Sequence, residues 1–128
     1  MSFNTSLVNT YIVKTFNLDT GVATRVWTFQ APTFPTALIA LDVVTAASDS
    51  TDKPTAKVTV NSDDRITGTA VTAPNVVQHN ITVDSGKSLS VPADATMSVT
   101  VTCAGTAANV RGISVTVVST SGALYPAR

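Results

Sequence analysis

An all-β fold, a single β-sandwich of jelly-roll or Greek-key type with about eight strands, is predicted by three observations. Threonine occurs 22 times and valine 19 times, while glutamate is absent. Both abundant residues are β-branched, stiff at χ1 and suited to a pleated surface, so helix is not expected as a major component. Apolar and polar residues alternate in short runs, the period of a strand with one face buried. All six prolines lie between those runs, where a missing N–H breaks no ladder.

In chain order, Tyr11–Phe16 and Val22–Phe29 read as two strands joined by Asn17-Leu18-Asp19-Thr20-Gly21, an N-terminal hairpin whose Gly21 suits a tight loop. On its second strand, Arg25, Trp27 and Phe29 share one face and Thr24, Val26 and Thr28 the other. Gln30 to Pro35 carries two prolines and reads as a crossing segment. Leu38–Thr45 sets Ile39, Leu41 and Val43 against Leu38, Ala40, Asp42 and Val44, so both faces are largely apolar and the strand is placed centrally.

After the polar loop 48–54, Ala56, Val58 and Val60 face in with Lys57 and Thr59 out, and Asn61-Ser62-Asp63-Asp64 turns the chain into Arg65–Thr69. Val77, His79, Ile81 and Val83 alternate with Val76, Gln78, Asn80 and Thr82, and Asp84-Ser85-Gly86-Lys87 is a tight turn before Leu89 and Val91. The clearest stretch is Thr96–Val118. Met97, Val99, Val101 and Cys103 alternate with hydroxyl residues there, and Ile113, Val115 and Val117 repeat the pattern, so the two runs read as a long antiparallel hairpin.

A chain of 128 residues fits one domain, 1–128, divided into the hairpin and crossing segment 1–36 and a sandwich body 37–128. Charged residues make up 12% of it, about half the usual ~25%, with formal net charge +0 and mean hydropathy +0.27. So little charge protects a free monomer poorly, and a homo-oligomer or larger assembly is expected. The basic residues are scattered from Lys14 to Arg128, which excludes the phosphate-tracking stripe of a nucleic-acid binder. No apolar run approaches the ~20 residues of a membrane-spanning helix. No basic-then-apolar leader opens the sequence, which fits a product made in a cytoplasm.

Little here can do chemistry. The eight acids are aspartates, nearly all beside turn residues, and read as turn-forming side chains instead of a catalytic pair. His79 is the one histidine and no serine sits in a nucleophile elbow, so no enzyme and no cofactor is expected. Cys103, alone on an apolar face, reads as an inert buried thiol. Asp49, Asp52, Asp63 and Asp64 are the candidate calcium ligands, though solvated loop carboxylates are the favoured reading. Of seven aromatic residues, Phe3, Tyr11, Phe16, Trp27, Phe29 and Phe34 fall in the first 34 positions and only Tyr125 beyond. Such residues either wall a core or anchor a partner, and Phe3, Trp27, Phe29, Phe34 and Tyr125 are the candidate interface set.

The run Ala37-Leu38-Ile39-Ala40-Leu41-Asp42-Val43-Val44-Thr45, the Thr/Val ladder Thr96–Thr102 before Ala104-Gly105-Thr106-Ala107-Ala108, and Ser114-Val115-Thr116-Val117-Val118 resemble the small jelly-roll proteins of tailed bacteriophages. Capsid decoration (cement) proteins and head-fibre or tail-tip domains belong to that group. The resemblance implies a non-enzymatic trimer or dimer on the capsid surface of a virion, made in the host cytoplasm and bridging neighbouring major capsid protein subunits. The alternative it leaves is a receptor- or glycan-binding fibre or tail-tip domain. An apolar base with a polar outer face would favour the first, and aromatics at loop ends the second.

Overall fold

The structure, a computed structural model, describes residues 11–21, 23–46, 54–67, 75–80, 84–103 and 110–121. Among them it is all strand: β1 (Tyr11–Thr20), β2 (Thr24–Gln30), β3 (Thr36–Val44), β4 (Pro54–Val60), β5 (Asp63–Thr67), β6 (Gln78–Asn80), β7 (Ser90–Val91), β8 (Thr96–Cys103) and β9 (Arg111–Thr120). Two antiparallel sheets result. One runs β1-β9-β3-β6, with the two-residue β7 pairing the start of β3, and the other runs β2-β8-β4-β5. Counting β6 and β7 as one broken edge, this is an eight-stranded jelly roll, in which successive strands mostly change sheet.

The core lies between the sheets and follows the alternation. Leu41 and Val43 of β3, Ala56, Val58 and Val60 of β4, Met97, Val99, Val101 and Cys103 of β8, and Ile113, Val115 and Val117 of β9 are all buried. Each valine or leucine so placed contributes roughly 1.5–3 kcal/mol through removal from water. Pro54 opens β4 as its first residue, the one interior-free place a strand offers proline.

Both expected hairpins are corrected. β1 pairs with β9 and β2 with β8, so residues 11–30 cross from one sheet to the other. β8 and β9 likewise belong to different sheets, with β8 between β2 and β4, and β9 between β1 and β3. The ends of these strands are tied by backbone bonds, Gly21 donating its N–H to the Val110 carbonyl (2.7 Å) and Cys103 to that of Ala23 (3.2 Å). Alternation gives each strand one buried face, a demand that the facing sheet meets as well as a neighbouring strand would. The hairpin present among the described residues is β4–β5, closed by Asn61 and Ser62, both at positive φ (50° and 66°). That backbone matches the right-handed twist of the flanking strands.

β3 also departs from strict alternation. Its register against β9 shifts between Leu38 and Ala40, leaving Ile39 as the extra residue of a bulge. Leu38 therefore joins Leu41 and Val43 in the core, while Ile39, placed by the alternation on the same face as Leu41 and Val43, is 39% exposed.

Candidate interaction surface

The jelly roll has two sides where edge strands of opposite sheets come together, and they are built differently. On the β5 side, Asp84 seals the edge. Its N–H donates to the Arg65 carbonyl (2.7 Å), and its carboxylate accepts from the Thr67 N–H (2.9 Å) and hydroxyl (2.8 Å). Arg65, the extra residue where β5 bulges against β4, donates to the carbonyls of Ser88 and Ser90, both at 2.7 Å. The segment then enters β7 on the opposite sheet, and Leu38 donates to the Leu89 carbonyl (2.8 Å). Bulges, charges and a covering segment are the devices that blunt a sheet edge.

Asp63 anchors the same side. It accepts from Lys87 Nζ at 2.6 Å and Arg65 Nε at 2.9 Å. The Lys87 hydrogen bond, more than the Arg65 contact, holds its carboxyl below the ordinary value of 3.8, against a smaller opposing effect of desolvation. Asp64 lies on the other face of β5 and pairs with Lys57 at 3.4 Å. The two described members of the candidate calcium set are thus turned to lysine and arginine on opposite faces. Asp49 and Asp52 lie outside the described residues.

The β1/β2 side has no such covering among the described residues. Among the described strands, β1 pairs only with β9, and β2 only with β8. Between them, Phe16 of β1 stacks on Trp27 of β2 (centroids 5.2 Å apart) and tilts against Phe29 at 5.5 Å. The Arg25 guanidinium carbon lies 5.5 Å from the Trp27 ring centre. Next to this aromatic wall opens a cleft of about 240 Å³, walled by Ile12 and Val117 from one sheet and Phe29 and Met97 from the other. Pro32 closes one end, and Lys14, Gln30 and Ser119 bring its polar groups.

The outer faces of the two sheets differ in apolar content, although the row next to the apolar one on the five-stranded sheet is polar, Thr15 with Thr116 and Asp42. On the five-stranded sheet, register aligns Val13 of β1, Val118 of β9 and Ala40 of β3 in one row, with Ile39 beside it on the bulge. Val13 is 57% exposed. The four-stranded sheet instead presents Thr24, Thr28, Ser98, Thr100, Thr102, Thr55 and Thr59, with Thr59 and Ser98 hydrogen-bonded across strands. Val26 is the one apolar residue facing outward from its described strands.

Of the expected interface residues, Trp27 and Phe29 are half-buried and pack on the core at the β1/β2 side, Phe29 also walling the cleft. Phe34 is 39% exposed in the crossing segment. Phe3 and Tyr125 lie outside the described residues. The row Val13–Val118–Ala40 and Lys14 escaped sequence reasoning. Pairing β1 with β9 rather than β2 is what brings the row together, and a run of alternating residues carries no record of that choice. No protein-family model matches this chain, and no curated protein matches it in sequence.

Proposed function

We propose that this chain is a non-enzymatic structural protein of a virus particle, a capsid decoration protein that seats on neighbouring major capsid subunits and stabilises the shell. The observation that carries this reading is the contrast between the outer faces: a row of valine and alanine with Ile39 on the five-stranded sheet, against a hydroxyl ladder on the four-stranded one. A protein that docks by one face and meets water by the other is built so. The charge-poor composition and the phage-like strand rhythm of residues 37–118 support the same reading.

Such a protein stabilises by binding the assembled shell better than the dissociated subunits, which raises the free energy of separating them. Trimeric or dimeric association would place several copies of the apolar row at one subunit junction. The rival reading, a fibre or tail-tip domain that binds a receptor or glycan, draws on Phe34, an aromatic exposed in a loop. Electron microscopy of particles carrying the chain separates the two. Density over capsid subunit junctions, with particles lacking the chain opening at lower temperature, is the expected result. Density confined to the tail tip, or particles free of the chain, would overturn the proposal.

A further inference from the structure

We infer that the β1/β2 side receives an extended acidic segment of the partner protein, added as a strand along β1, with an apolar side chain in the cleft and a carboxylate on Lys14. This deepens the reading of the chain as a docking protein and rests on it.

Three observations converge on this occupant. Over residues 12–20, β1 is laddered on one side only among the described residues, and an edge of that length is a template for another strand. The cleft lies directly beneath that edge, between the sheets. An added strand would turn every second side chain toward the same inner face as Ile12, Lys14 and Phe16, so the register itself delivers side chains to the cleft. Its walls are apolar and its volume suits a large aliphatic or aromatic side chain.

Charge then selects among partners. Lys57, Arg65 and Lys87 each have an aspartate, whereas Lys14 has no acid beside it among the described residues, and no aspartate lines the cleft. Asp19 is on the opposite face of β1 by alternation. Arg25, on the inner-facing side of β2, is basic as well. A second copy pairing by this edge would bring another Lys14 and Arg25 to the seam, so the inward basic residues oppose self-pairing. An acidic strand meets the same groups with attraction, and like-charge exclusion of one partner alongside attraction of another is how such surfaces gain specificity.

The test uses the full chain, isotopically labelled, titrated with the blocked hexapeptide acetyl-Thr-Leu-Thr-Asp-Thr-Val-amide and with its Asp-to-Lys counterpart, followed by amide and lysine side-chain NMR shifts. The acidic peptide should move β1 and Lys14 resonances and bind about tenfold more tightly than the basic one. Lys14→Met should abolish that discrimination and Lys14→Glu should reverse it, while Lys57→Glu, on the outer face of the other sheet, should leave it unchanged. Equal binding of the two peptides, no binding at millimolar concentration, shifts centred on β5, or discrimination that survives Lys14→Glu would each overturn the inference. Failure here leaves attachment through the outer face standing, because that is judged on whole particles. Particles free of the chain despite intact peptide discrimination would instead overturn the capsid reading.

Discussion

Phe16 and Trp27 stack at 5.2 Å with 23° between their rings, although one belongs to each sheet. On a side with no covering segment among the described residues, this pair and Phe29 hold the two edge strands together. Phe16→Ala should therefore destabilise the fold by about 2 kcal/mol, below the range of fully buried phenylalanines because the ring is half-buried. A double-mutant cycle with Trp27→Ala, read by urea unfolding, should give ~1 kcal/mol of coupling. Additive losses would mean that the rings act independently.

Two glycines separate backbone strain from steric clash. Gly86 sits at φ +77° with open space where a Cβ would be, in the turn closed by Lys87 donating to the Asp84 carbonyl at 2.9 Å. Gly86→Ala should cost only the conformational penalty, ~1 kcal/mol. Gly112 sits at φ +62°, and a Cβ there would lie 2.7 Å from the Ala46 Cβ. Gly112→Ala should cost clearly more, and Ala46→Gly in the same chain should recover part of the difference in thermal melts.

The features legible in the sequence were those that period-2 alternation and turn chemistry encode directly. Val99, Val101, Val115 and Val117 fill the buried face that the alternation marks, Asn61 and Ser62 close the turn that their residue types predict, and the β-sandwich class follows. Strand partnership was not legible. β8 and β9 present the same buried and exposed faces whether they pair or cross over, because each needs only one apolar neighbour layer. The β3 bulge at Ile39 was equally hidden, since an extra residue leaves no mark in an apolar run on both faces. The outer apolar row depends on both of these features, which is why the candidate surface emerged only with the topology.

Acid should weaken the fold partly through Asp63. Its folded pKa is lowered, chiefly by the Lys87 hydrogen bond, so its contribution is fully present above the ordinary value of 3.8 and is lost as pH falls from there through the folded value. Asp63→Asn should flatten the fall of stability with pH below about 4, as measured by urea unfolding at a series of pH values. An unchanged slope would show that the Lys87 and Arg65 contacts do not persist in solution.

The account turns on which outer face meets the partner, and the binding isotherm of two charge insertions on purified particles tests that directly. Val13→Lys places an ammonium in the apolar row, and Thr28→Lys places one on the hydroxyl ladder, both at exposed positions where the fold should tolerate them. Val13→Lys should weaken attachment by about tenfold or more, the loss expected when a charge is buried at an interface centre, while Thr28→Lys binds as the unmodified chain does. Equal binding by the two variants, or loss confined to Thr28→Lys, would contradict the account.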